Sequence, residues 1–192
     1  MNNKIKELER LLETKVSEER FEEYSNYKSI MGASENDFDK IEQCFDIELP
    51  SDFKKFYQYK NGSGYHFHIL YPSYDNNCIS PFYLLSIDEI IENKTRFSRD
   101  ELMSEHYSGE EISELDRRIK PYFENKRWIP FAKLAGGSLK LMLDYDPTEH
   151  GEMGQIIAYI HDPDFVYYIA KDFRELLNMS NRNLAEWDYI DY

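Results

Sequence analysis

The sequence predicts an α+β fold: a mostly antiparallel, twisted sheet with helices packed on one side and at its ends, plus a helical insertion. Strand-like segments crowd the last third, from Trp128 to Ala170. The connections between them are rich in Gly, Asp and Pro, as antiparallel hairpins require. Helical periodicity dominates up to Tyr57, recurs after Ser86 and in residues 93–126, and closes the core from Lys171. Aromatic side chains make up 16% of the 192 residues, which sets the chain apart from disordered sequences and supplies a core. The length suits one domain, residues 1–192.

In chain order, Ile5, Leu8, Leu12 and Val16 stand at helical spacing among Glu, Lys and Arg, and Phe21, Tyr24 and Tyr27 extend the pattern. An N-terminal helix is therefore placed within residues 1–30, before a break at Gly32. Ser34 caps a second helix with acidic residues in its first turn, where the helix dipole favours them; Phe38, Ile41 and Phe45 form its apolar face. Leu49-Pro-Ser-Asp52 opens a third helix with Phe53, Phe56 and Tyr57 inward. Asn61-Gly62 ends it, because Gly takes the left-handed conformation without steric cost. Tyr65–Leu70 and Phe82–Leu85 read as strands, and Ser86-Ile-Asp-Glu89 as the capping box of a helix through Ile90 and Ile91.

Residues 93–126 are polar, with Ile112, Leu115 and Ile119 at helical spacing, and form the helical insertion. Leu139, Leu141 and Leu143 then alternate with Lys140, Met142 and Asp144 as in a half-buried strand. Ile156–Ile160 and Phe165–Ile169 pair across Asp162-Pro163. A helix over Lys171–Met179 closes the core, and residues 180–192 form an aromatic, acidic tail.

Charge narrows the function. The 37 acidic side chains outnumber the 23 basic ones, giving −14, which repels phosphate backbones and anionic membranes and draws basic partners. No direct nucleic-acid or membrane partner is expected, although acidity also serves solubility. Charges occupy the first ten residues where a signal peptide needs an apolar core. No run approaches the ~20 apolar residues of a membrane span. Cys44 and Cys78 lack CxxC spacing, so a reduced, cytoplasmic protein is the simpler expectation.

No catalytic set emerges. The turn Asp144-Tyr-Asp146-Pro-Thr148-Glu149-His150 offers oxygens spaced as in a calcium loop. Glu149 stands where that loop needs Gly, and Gln155 where it needs a bidentate Glu, so it reads as a hairpin turn whose carboxylates cap backbone N–H groups. His66 and His68 give two imidazoles on one strand face and no third zinc ligand. Ala135-Gly-Gly-Ser138 lacks phosphate-loop spacing and reads as a tight turn. There is no G-x-S-x-G elbow, and Cys44 lies near an apolar helix face. Neither enzyme activity nor a cofactor is expected. The many tyrosines either fill the sheet face or make a sticky surface. With neighbouring acids, Tyr71, Tyr74, Asp75, Tyr145, Glu149 and Glu152 are the candidate protein-binding residues.

The order and spacing of several elements also resemble a known family. They run from Ile41-Glu-x-x-Phe-Asp-Ile-Glu-Leu-Pro50-Ser-Asp-Phe53 through Asn61-Gly62 to Trp128-Ile-Pro-Phe131, Gly137, Asp144-Tyr-Asp-Pro147, Gly151, Gly154-Gln-Ile156 and Phe173 with Leu176-Leu177. Across about residues 34–177 this resembles the SUKH superfamily, the Smi/Knr type of domain of cell-wall-assembly regulators and bacterial toxin-immunity proteins. The resemblance implies a binding module in which these motif residues determine the fold. It implies an immunity protein that neutralises a cognate, basic toxin domain, often a nuclease, by stoichiometric binding. The other role it allows is a regulatory scaffold or adaptor of cell-wall assembly or signalling.

Overall fold

A computed structural model describes residues 1–74, 78–93, 99–161, 164–188 and 190. It shows an α+β fold with helices flanking a six-stranded sheet. The amphipathic N-terminal segment is not one helix. It splits into α1 (Asn2–Lys15) and α2 (Phe21–Ser29), joined by a 3-10 turn at Glu18–Arg20. Val16 goes extended and bridges in parallel to Ile190, and Ile190 donates its N–H to Lys15 O at 2.7 Å. That bridge to the far end of the chain supplies backbone bonds that continuing the helix would have removed.

Local signals set the next three helices. In α3 (Glu35–Phe45), Ser34 and Asp37 cap each other reciprocally, with Ser34 N–H donating to Asp37 Oδ2 at 2.8 Å. α4 (Ser51–Tyr57) follows Pro50 and buries Phe53, Phe56 and Tyr57. Asn61 then accepts the Ile87 N–H at 2.8 Å, while Gly62 takes φ +94° where a Cβ would sit 3.0 Å from Ser86 N. The Asn-Gly pair thus does more than end a helix: it moors the start of α5 (Ile87–Asn93), itself capped by Ser86 and Glu89.

The strands are β1 (His68–Leu70), β2 (Ser73–Tyr74), β3 (Cys78–Ile79), β4 (Phe82–Leu84), β5 (Glu101–Leu102), β6 (Tyr122–Glu124), β7 (Trp128–Lys133), β8 (Leu139–Asp144), β9 (Gln155–Ile160) and β10 (Phe165–Ala170). The main sheet runs β1-β4-β7-β8-β9-β10, antiparallel throughout. β1 is shorter than its sequence suggests, because His66 lies in a turn at φ +64°, outside the strand. Pro130 is tolerated in a central strand because the register shifts between Pro130 and Ala132. Gly136 and Gly137, at φ +85° and +77°, make the expected tight β7–β8 turn. β9 and β10 pair as expected, although Asp162-Pro163 lies outside the described residues.

One face of the sheet carries Ile129, Phe131, Leu141, Leu143, Ile156 and Ala158 against the helices. Phe53 meets both Phe131 and Phe173 edge-on, at 5.7 and 5.5 Å, a preferred aromatic geometry. On the opposite face Trp128, Met142, Ile157 and Val166 cluster with Ile119 of the 93–126 insertion. Met142 is therefore buried where simple alternation puts it in solvent. The insertion is far less helical than its spacing suggests: among its described residues are a four-residue helix, α6 (Gly109–Ile112), a 3-10 turn and the β5–β6 ribbon. Ile119, with Leu115 and Tyr122 packed beside it, covers the sheet face.

The closing helix, α7 (Phe173–Glu186), runs past Met179 into the expected tail. Ser180 Oγ accepts the Tyr71 N–H and Asn183 Nδ2 donates to Tyr71 O, each at 2.8 Å. Its buried polar residues thus fasten the chain leaving β1, which is why a hydrophobic pattern stops short of them.

Candidate functional site

The family-like residues of β7, β8 and β9 meet in one row. Trp128, Asp144 and Gln155 are cross-strand partners, and Asp144, with no exposed surface, accepts Trp128 Nε1–H at 3.0 Å, Gln155 Nε2–H at 2.8 Å and Asp146 N–H at 2.8 Å. Burial pushes its carboxyl above the ordinary value, against the pull of those donors. Gln155 also donates to Arg118 O at 3.0 Å, and Asp146 is paired with Lys120 and with Asn125 Nδ2. The acidic turn's two aspartates are committed to the protein's own donors. This is a structural turn, clamped by the insertion.

Beside it opens a cleft of about 750 Å³, between the α3–α4 connection and the β8–β9 loop. Asp46, at φ +53°, ends α3 and turns Ile47, Glu48, Leu49 and Pro50 along one wall. Gly154 closes the other against Pro50: a Cβ there would fall 2.9 Å from Pro50 Cγ. Tyr145 donates its hydroxyl to Glu48 O at 2.9 Å, joining the walls. Glu42 pairs with Lys54 at 2.7 Å; partial burial acts to raise its pKa, but Lys54 and the Leu49 N–H outweigh it and hold the carboxyl below its usual value. Asp46 and Glu48 are exposed, with no ion pair among the described residues, and Arg127 also lines the cleft. Met153 stands at the rim, 69% exposed, between Glu152 and Gly154. The cleft thus combines two exposed carboxylates, one lining arginine and an exposed, adaptable thioether.

Of the candidates named from sequence, Glu149 and Glu152 are exposed in the β8–β9 loop beside this cleft. Tyr145 lines it but is a buried strut, not a contact surface. Tyr71 is wholly buried, with its hydroxyl on His68 O at 3.4 Å and its ring edge-on to Trp187, so its side chain has no surface to offer. Tyr74 is half-buried against Ser80, and Asp75 lies outside the described residues. His68 is buried and takes the Ala135 N–H at 3.3 Å, with the His66 ring 6.5 Å away. Among the described residues no group of three or more His, Cys, Asp or Glu is placed to hold a metal. Asp46, Glu48, Arg127 and Met153 escaped the sequence reading. The one signal was Met153, an apolar residue inside an otherwise polar glycine turn.

A family model matches residues 32–179, described as the SMI1/KNR4 family (SUKH-1). The chain belongs to the SMI1/KNR4 (SUKH-1) family. A search of curated proteins gave no match. Family membership is consistent with a toxin-immunity or cell-wall regulatory role. The match begins at Gly32, so α1 and α2 lie outside it, as does the C-terminal half of α7. It spans both walls of the cleft and the Trp128–Asp144–Gln155 row. In this SUKH-1 chain no helix among the described residues is long and apolar enough to cross a membrane.

Proposed function

We propose that this chain is an intracellular immunity protein: it binds a cognate basic toxin domain, often a nuclease in this superfamily, and neutralises it by stoichiometric occlusion. The observation that carries the reading is the open cleft with the exposed carboxylates of Asp46 and Glu48, which make no ion pair among the described residues, in a family-matched region of a protein with charge −14. A nuclease presents a cationic, phosphate-binding surface. An acidic wall competes for that surface without chemistry of its own, and its field speeds encounter. Glu149 and Glu152, flanking Met153, extend the same negative rim.

The test is affinity capture from the native cell at low salt, with bound proteins identified by mass spectrometry. The recovered protein is then expressed in a sensitive host with and without this chain. One dominant basic protein, lethal alone and harmless in the pair, is the expected outcome. Recovery of cell-wall or signalling assemblies with no lethal partner would replace the reading with that of a regulatory scaffold.

A further inference from the structure

We propose a second docking surface, built partly on the helical start that lies outside the family match and fitted to a basic protein segment with an apolar contact at its centre. It lies where the Glu18–Arg20 turn and the start of α2 meet the turn before β1, on elements separate from those of the cleft, and needs no toxin to be real.

Two aromatic side chains stand in solvent here: Phe21 is 61% exposed and Tyr65 70%. Arg20 Nη2 donates to His66 O at 2.6 Å and so ties their two segments together. Tyr65 is exposed but held, its ring 3.7 Å from the His66 ring and edge-on to Tyr83 at 5.7 Å. A rigid aromatic offers contact area at little entropic cost on binding.

The corner also carries costs that a bare fold would shed. His66 sits at φ +64°, in the left-handed region, where side chains other than Gly are uncommon. Ser17 Oγ, Arg20 Nε and His66 Nε2 are buried without a hydrogen bond among the described residues, although Arg20 Nε lies 3.4 Å from Glu23 Oε1. Such groups call for an explanation.

Charge chooses the occupant. Glu18, Glu19 and Glu22 are exposed beside Phe21 in the chain and outnumber Lys28, whose ammonium lies 6.0 Å from the Phe21 ring centroid. They repel nucleic acid, anionic membranes and acidic proteins, and favour Lys and Arg around an apolar centre.

The test titrates isotope-labelled protein with a short amphipathic Lys/Leu peptide, and with a Lys/Gln peptide of equal charge, by NMR. Resonances of residues 18–23 and of Tyr65 are expected to move with the Lys/Leu peptide alone. Phe21→Ala/Tyr65→Ala should weaken that binding by at least about tenfold, as for truncated interface anchors. Glu19→Gln/Glu22→Gln should weaken it and flatten its salt dependence. The proposal is overturned if the Lys/Gln peptide binds equally well, if the moving resonances are those of Asp46–Glu48 instead, or if the aromatic double variant binds like the wild type. The aromatic side chains are exposed, so these variants report on binding with the fold intact.

Discussion

Trp128 donates its indole N–H to Asp144 over 3.0 Å, between two residues that face each other across β7 and β8 and are both buried. The bond decides what the acidic turn can do. An aspartate that already takes three N–H donors has little to offer a cation, so the turn's geometry serves the sheet and the adjoining cleft.

The pair should be energetically coupled. Trp128→Phe keeps most of the ring but removes one charge-assisted donor, and is expected to cost about 1–3 kcal/mol. Asp144→Asn alone should cost a similar amount. The double variant should fall short of their sum, with a coupling of roughly 1–2 kcal/mol in a urea-denaturation cycle. Simple additivity would mean that the row is held by packing.

Asp144 also sets a direction for pH dependence. Burial raises its carboxyl above the ordinary value, despite the donors from Asp146, Gln155 and Trp128. Folding then favours the protonated form. That contribution is fully present below the unfolded value of about 3.9 and is lost as pH rises through the raised folded value. The advantage of wild type over Asp144→Asn should therefore widen as pH is lowered from 7 to about 4, read as denaturation midpoints at each pH. An advantage that narrows on acidification would mean the donors outweigh burial and hold the group ionised.

Gly154 and Gly136 separate two roles of glycine. Both have positive φ, +82° and +85°, but an added Cβ meets Pro50 Cγ at 2.9 Å only at Gly154, whereas at Gly136 nothing lies within 4 Å. Gly136→Ala should cost on the order of 1 kcal/mol, the backbone penalty alone. Gly154→Ala should cost roughly 1–2 kcal/mol more and shift the cleft wall at Pro50, seen as a lower melting temperature and altered shifts in Leu49–Ser51. Equal costs would remove the contact with Pro50 from the account of the cleft.

Much of the fold could be read ahead because its determinants are local. The Ser34 and Ser86 caps, the Gly136-Gly137 turn and the alternation of Leu139, Leu141 and Leu143 each act within a few residues. What escaped depends on distant partners. Helix α1 stops at Lys15 because Ile190 pairs beside Val16, and α7 continues through Ser180 and Asn183 because both bind Tyr71. The insertion's Ile119 looked helical in spacing but is set by the sheet face it covers. The cleft was half legible. Glu149 and Glu152 stand out as charges in a turn, but nothing in one dimension brings Asp46 and Glu48 opposite Met153.

That assembly leads to a kinetic prediction. Asp46 and Glu48 are exposed and have no ion pair among the described residues, so with a basic partner they act first through the long-range field. Asp46→Asn/Glu48→Gln should slow association about 3- to 10-fold at low salt. Raising salt shortens the Debye length to about 10 Å at 0.1 M and about 3 Å at 1 M, so the wild-type rate should fall towards that of the variant. Met153→Ala should leave association nearly unchanged and speed dissociation, since an apolar contact forms only after docking. Stopped-flow mixing with the captured partner, across a salt series, measures both rates. If the charge variant altered dissociation alone, the two carboxylates would be close-contact groups with no share in steering. If it altered neither rate, the partner would bind elsewhere, and the cleft would lose its claim to be the recognition surface.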